Sequence, residues 1–273
     1  MCKINNLNHK TLSMLARTLL LRFAIAVSIG SFSIAANAQA PSLFSPQFFT
    51  NGKGDTLHYR QLVPDANPKR HYPLVIFLHG AGERGSDNIS QLKWGVMNFA
   101  TEQNLLKYPA VIIAPQCPAN SGWTNFGSDR SATTAPMTAE PAKSMELLLA
   151  LIKKIKAEGR IDTSRIYITG LSMGGFGTFD AIEREPGLFA AAVPVCGGGD
   201  PAKAASLAKL PMWIFTGSED PTVNPEYSLN MLQALWKAGA RPGFTMLPEV
   251  GHFSWLGAYT DPLMIEWLFR QHK

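Results

Sequence analysis

The chain has 273 residues, 46% hydrophobic and 16% charged, which suits one globular domain with a large core. Its formal net charge is +5, yet residues 1–38 hold four of the 25 Lys and Arg and none of the 20 Asp and Glu, leaving 21 basic against 20 acidic groups elsewhere. That near-neutral remainder has no run of Lys or Arg interleaved with aromatics, which excludes an electrostatically driven nucleic-acid binder.

Lys3, Lys10, Arg17 and Arg22 precede an uncharged apolar run from Phe23 to Ala35, followed by Ala36-Asn37-Ala38 and Ala38-Gln39-Ala40. The run is too short to span a bilayer comfortably, and the small residues fit a signal-peptidase site. We expect a secretory signal peptide over 1–38, with cleavage after 40 as a second option, and a single domain over 39–273 in the periplasm or outside the cell. An uncleaved anchor is the alternative, and Met14 is an alternative start.

The mature chain opens with a hairpin signal, Phe48–Thr50 and Thr56–Val63 around Asn51-Gly52-Lys53-Gly54-Asp55. A polar loop leads to Pro73–Leu78, a continuous apolar run ending in His79-Gly80, as expected of a strand buried on both faces. A helix is expected around Ser90–Leu105, a strand at Ala110–Ala114, and then a long irregular loop to about Ala139 that contains Trp123 and Phe126. Pro141–Glu158 is amphipathic and stopped by Gly159. A β-branched strand follows at Ile166–Thr169, with a helix over Gly174–Arg184. Strands at Ala190–Val195, Met212–Thr216 and Phe244–Leu247 alternate with a helix at Pro225–Ala238, and a last helix spans Asp261–Gln271. This alternation predicts an α/β fold with a mostly parallel sheet and helices on both faces. We find no internal repeat, linker or low-complexity stretch.

The densest chemistry sits at Ile166-Tyr167-Ile168-Thr169-Gly170-Leu171-Ser172-Met173-Gly174-Gly175. A strand running into Gly-x-Ser-x-Gly and then a helix makes a turn so tight that the serine backbone is strained. Its hydroxyl rises above the sheet, and the N–H groups behind it open a helix. A serine hydroxyl needs a base to take its proton, and that base needs a third group to hold it. In open α/β sheets such groups lie in loops after the carboxyl ends of strands. Those loops carry Asp220, with Glu219 beside it as a rival, and His252 between Gly251 and Phe253. The order Ser172, Asp220, His252, at spacings of 48 and 32 residues, is the α/β-hydrolase order and leaves room for a strand and a helix between members. His9, His58, His71, His79 and His272 all lie in the wrong places for the base. An oxyanion would be held by the N–H of Met173 and by one from His79-Gly80-Ala81-Gly82, with Ala81 the expected donor.

With these segments in view, the chain resembles secreted α/β-hydrolase esterases, the group of feruloyl-esterase-like and polyhydroxybutyrate-depolymerase-like enzymes labelled phospholipase/carboxylesterase or prolyl-oligopeptidase-family hydrolases. The resemblance runs through Leu78–Gly85, Pro115-Gln116-Cys117-Pro118, Ile161–Gly175, Pro194–Asp200 and Gly251-His252. The family pattern has His-Gly ahead of the acid loop where this chain has Thr216-Gly217. The resemblance implies ester hydrolysis by a Ser-His-Asp acyl-enzyme route, without metal or organic cofactor. The substrate would be a small-molecule or polymer-linked ester.

Only Cys196–Leu210 lies between the Ala190–Val195 strand and Pro211, too little for a large helical lid, so an open site for short acyl or aroyl esters is expected. Trp123 and Trp255 either wall the substrate site or pack under loops, as does Phe126. Glu83 and Arg84 are expected to pair with each other or to brace the oxyanion loop. Cys117 and Cys196 follow strands three positions apart in this fold, roughly 14 Å at ~4.8 Å per strand, beyond the ~7 Å that a disulfide spans. Two buried free thiols are therefore expected. A serine peptidase shares the triad, although a prolyl-type one needs a gating domain for which the chain has no room. A non-catalytic binding protein on this fold would be expected to lack a triad member.

Overall fold

The run Tyr72–Leu78 forms β3 with every residue buried, and its side chains divide by parity. Leu74, Ile76 and Leu78 enter one core cluster, and Val75 and Phe77 enter another on the opposite face of the sheet, as a strand's two-residue period dictates. The computed structural model describes residues 43–65, 67, 69–126 and 132–273. The expected signal peptide lies outside those residues. No helix among them is long and apolar enough to cross a membrane, and Phe44–Lys273 make one compact unit.

Eight strands form one sheet: β1 Ser45–Thr50, β2 Thr56–Leu62, β3, β4 Val111–Gln116, β5 Ile161–Leu171, β6 Ala191–Val195, β7 Trp213–Gly217 and β8 Gly243–Leu247. Their spatial order is β1-β2-β4-β3-β5-β6-β7-β8. The β1–β2 hairpin and the β2–β4 pairing are antiparallel, and every pairing from β4 to β8 is parallel. The chain has the α/β-hydrolase fold that its strand–helix alternation predicts.

The α-helices among the described residues are α1 Val96–Phe99, α2 Glu102–Lys107, α3 Lys143–Ala157, α4 Met173–Arg184, α5 Glu226–Lys237, α6 Trp255–Thr260 and α7 Pro262–Arg270. Leu148 and Ile152 of α3, Phe179 and Ile182 of α4, and Met231 and Leu235 of α5 cover one face of the sheet. Val96 and Phe99 of α1, Tyr259 of α6 and Met264 and Leu268 of α7 cover the other. Each such side chain contributes about 1.5–3 kcal/mol by leaving water.

Two expectations need correction. The helix expected over Ser90–Leu105 is broken into a 3-10 turn at Ser90–Leu92, then α1 and α2. Gly95 between the first two pieces has φ +75°, and a Cβ there would lie 2.5 Å from the Tyr259 ring, so the chain turns where α6 crosses it. Thr101 then restarts the helix by accepting a hydrogen bond from the Asn104 N–H. The second correction is α6, an extra short helix where a loop was expected after His252. Between β6 and β7 there is only a 3-10 stretch, Pro201–Leu207, so no large lid forms there. Cys117 and Cys196 are both free and buried, each directly after its strand, β4 and β6, which β3 and β5 separate.

The first turn of α4 sits directly on the ends of β3 and β5. A Cβ on Gly174 would meet the Leu78 carbonyl oxygen at 2.0 Å, and one on Gly170 would meet that of Gly174 at 2.4 Å. Gly170→Ala should therefore force backbone apart and lower Tm by at least about 5 °C. Gly187→Ala, with nothing within 4 Å of the new methyl, should leave Tm within about 1 °C. Thermal denaturation of the two variants checks the pair.

Candidate active site

β5 ends at Leu171, and Ser172 then adopts φ +53° and ψ −117° before α4 begins at Met173. A non-glycine residue held there stores of order 1–3 kcal/mol of strain. The Ser172 N–H donates to the Val195 carbonyl (3.0 Å), and its own carbonyl accepts from the Phe176 N–H (3.1 Å), so both sides of the strained residue are tied. Ser172 as a residue stays partly exposed.

Ser172 Oγ lies 3.0 Å from His252 Nε2, and His252 Nδ1 lies 2.8 Å from Asp220 Oδ2. The His252 side chain is 18% exposed and that of Asp220 is fully covered. Asp220 Oδ1 also accepts from the N–H groups of Thr222 and Val223. Burial pushes the Asp220 carboxyl up. The hydrogen bonds from His252, Val223 and Thr222 outweigh this and hold it below the ordinary carboxylate range. A carboxylate that stays ionised and bonds to Nδ1 requires the proton there, leaving Nε2 free to accept from the serine. Glu219, the rival acid, is exposed, and its backbone N–H goes to Val250.

Cys196, Asp220 and His252 put ligand-type atoms within 4.8 Å of one another. They are not three free donors, because Asp220 and His252 engage each other and burial pushes the Cys196 thiol up to about 12.

Met173, the first residue of α4, is partly exposed. Ala81 is exposed and opens the 3-10 turn Ala81–Glu83. The two segments abut, since a Cβ on Gly174 would lie 2.8 Å from the His79 carbonyl oxygen and one on Gly80 would lie 2.8 Å from Leu171 Cδ1. Arg84 reaches back over the elbow, its Nε donating to Met173 Sδ at 3.2 Å.

His79 anchors the loop. Its Nε2 accepts from the Cys117 N–H (2.9 Å), which leaves the ring proton on Nδ1 to donate to the Gly80 carbonyl (2.6 Å). Burial lowers its pKa from 6.5 to about 4. This anchor's contribution is therefore complete above about pH 6.5 and is lost as pH falls through about 4. Glu83 braces the same loop. Burial pushes its carboxyl up, and the Trp94 side chain and Gly80 backbone oppose that shift; its Oε2 lies 3.1 Å from where a Gly80 Cβ would stand.

Trp123 is not a substrate wall. It is fully buried in the core cluster beneath α4, and its Nε1 donates to the His79 carbonyl at 3.1 Å. Its size is used to fill the space above Gly177, where a Cβ would lie 2.5 Å from the Trp123 Cβ. Trp255, only 5% exposed, stands edge-on to the His252 ring at 5.1 Å and so backs that ring. The aromatic surface nearer the elbow is Phe126 on Phe176 (4.8 Å) and Phe176 on Tyr227 (5.1 Å).

The loop bearing Phe126 is held by a carboxylate group that sequence reasoning did not find. Arg184 pairs with Asp180 through Nε (2.7 Å) and donates to the Thr138 carbonyl (3.0 Å). Asp200 accepts from the Met137 N–H (3.2 Å), and Glu183 accepts from the Asp200 N–H (2.8 Å). The only signal in the sequence was the acidic pair on the inward face of α4.

Comparison with known proteins gives this arrangement a lineage. A model of the dienelactone hydrolase family matches residues 89–255, more than half of the chain. The chain belongs to that family. A solved thermostable esterase is 39% identical with a TM-score of 0.79, covering 86% of this chain and 64% of that one. Poly(3-hydroxyalkanoate) depolymerase C of Paucimonas lemoignei is 28% identical over 195 residues, 71% of this chain and 42% of the depolymerase. The bifunctional acetylxylan esterase/xylanase XynS20E of Neocallimastix patriciarum is 36% identical over 175 residues, 63% of this chain and 22% of that protein. This dienelactone hydrolase family chain thus spans less than half the length of both curated relatives.

Burial raises Glu183 from 4.5 to about 8, with Asp180 and Asp200 adding to the shift and Arg184 and the Asp200 N–H opposing it. A carboxyl with a raised folded pKa contributes fully below about pH 4.5 and loses that contribution as pH rises through about 8. Glu183→Gln keeps the acceptor without the charge. Its Tm should be near wild type at pH 5 and exceed it by several degrees at pH 8.5. A parallel pair of Tm–pH curves would contradict the assignment.

Proposed function

We propose that this chain is a secreted or periplasmic serine carboxylic ester hydrolase acting on short acyl or aroyl esters, feruloyl or acetyl in type and free or polymer-attached. The observation that carries the reading is the unbroken hydrogen-bonded chain from a partly exposed Ser172 through His252 to a buried, ionised Asp220. Family membership and the esterase relatives support it. Export rests on the apolar run and small-residue sites before residue 40.

In this reading His252 Nε2 takes the Ser172 proton as Oγ attacks the ester carbonyl, and Asp220 stabilises the imidazolium without accepting its proton. The N–H groups of Met173 and Ala81 hold the tetrahedral oxyanion. Each such donor is worth about 3 kcal/mol in the transition state, because it is already oriented where charge develops. His252 then protonates the leaving alcohol, and water repeats the sequence on the acyl-enzyme. The anchors on His79 and Glu83 keep the oxyanion loop preformed, so little reorganisation is needed on binding. With only a 3-10 stretch between β6 and β7, that side of the site is open to an ester borne on a chain too large to be enclosed.

The leaderless protein should hydrolyse p-nitrophenyl acetate and methyl ferulate and leave an Ala-Pro anilide uncut, with a fluorophosphonate labelling Ser172. Ser172→Ala should lower kcat by about five orders of magnitude and Asp220→Asn by about four, KM changing little. Cleavage of the anilide alone would move the assignment to a peptidase. No turnover and no labelling would leave a binding protein on a hydrolase fold.

A further inference from the structure

On the His252 side of Ser172, two aromatic rings stand outside the core. Phe253, 55% exposed, directly follows His252. Trp94, partly exposed, lies 6.1 Å from it with the ring planes at 70°. Trp255 fills the angle behind them, 4.9 Å from Phe253 and 6.3 Å from Trp94, while its other contact is the His252 ring. On the opposite flank, the Glu83 carboxylate lies over Gly80 of the oxyanion loop, its Oε2 3.1 Å from where a Gly80 Cβ would stand, and the Trp94 side chain is among the groups that favour its ionised form. The two rings therefore form an open corner reaching from the base to the oxyanion loop, the two elements that bracket the reacting carbonyl.

We propose that this corner is the subsite for the alcohol part of the ester, and that this alcohol is a sugar ring of an oligo- or polysaccharide. The inference rests on the ester-hydrolase reading above. The leaving oxygen has to reach His252 Nε2 to be protonated, so the alcohol lies on the His252 side. An aryl or alkyl alcohol gains most from a closed slot that takes both of its faces from water, whereas this corner is open. A pyranose has one face of C–H groups that packs on an aromatic ring, and its hydroxyls pay a desolvation cost wherever they are enclosed without partners. An open corner takes the first and leaves the second hydrated. Lys93, exposed, with its ammonium 5.1 Å from the Trp94 ring centre, adds a donor at the rim for a ring hydroxyl.

The test uses three esters of one acyl group, acetylated xylotriose, methyl acetate and phenyl acetate, with the leaderless wild type, Phe253→Ala, Phe253→Trp and Phe48→Ala. Phe48 is 70% exposed on β1 at the far edge of the sheet and controls for loss of an exposed ring. Phe253→Ala should lower kcat/KM on acetylated xylotriose about 10-fold relative to methyl acetate, through KM, because stacking is equal in ground and transition states. Phe253→Trp should restore the ratio, and Phe48→Ala should not change it. A ratio within twofold of wild type in Phe253→Ala, with both esters still turned over, overturns the subsite and leaves the esterase standing. An equal or larger loss on phenyl acetate overturns the sugar. Wild type inert on all three esters and unlabelled by a fluorophosphonate takes down the esterase reading and this inference together.

Discussion

Everything at the active site depends on how closely the first turn of α4 can approach the ends of β3 and β5. At Gly174 that approach leaves no space for even a methyl group against the Leu78 carbonyl, and Gly170 is closed by Gly174 itself. Backbone packed against backbone has no side chain to re-rotate, so the geometry is rigid in a way that side-chain packing is not. The strained φ of Ser172 follows from it, because the chain must leave β5 and enter α4 within one residue. The same contact sets Met173 against the loop after β3. Ser172 and the N–H groups proposed to hold an oxyanion are thus placed by a single steric fit.

Around that rigid centre, burial sorts the ionisable groups into different tasks. Two histidines lie within the same set of loops, yet His79 is buried with both nitrogens committed, which keeps it uncharged. His252 keeps an exposed edge and a covered carboxylate partner. Asp220 and Glu183 are both covered carboxylates that burial pushes up, but the first receives three hydrogen bonds that move it down, whereas the second receives one, from the Asp200 N–H, with Asp180 and Asp200 adding to the rise. The number of donors aimed at each carboxylate decides between them.

The parallel sheet was readable because each buried strand is a continuous apolar run, and the elbow because Gly-x-Ser-x-Gly follows such a run. Asp220 and His252 were readable because the fold assigns their loops and chain order. What could not be read was set by contacts across the fold. Gly95 turns the chain at φ +75° just before α1, and Tyr259, far away in the chain, occupies the space that a side chain there would need. Trp123 looked like an open aromatic in a loop, and only the tertiary structure buries it over Gly177. Glu83 was expected to brace the oxyanion loop or to pair with Arg84; it lies over Gly80, while Arg84 goes to Met173.

The two aromatic groups on either side of Ser172 differ in kind, and the difference bears on what the site can hold. Phe126, Phe176 and Tyr227 pack on one another and on Val223, the residue whose N–H also holds Asp220. A change there would disturb the acid as well as the wall. Phe253 and Trp94 lean on Trp255 but leave their outer surfaces to water. Phe253 is joined to His252 by the chain, and Trp94 reaches that ring only through Trp255. The first group can vary only together with the catalytic geometry, while the second can change its exposed ring without moving a hydrogen bond. In the proposed esterase, selectivity among esters is therefore free to evolve at the open corner, where a substitution at Phe253 alters what is stacked and leaves the Ser172–His252–Asp220 hydrogen bonds in place.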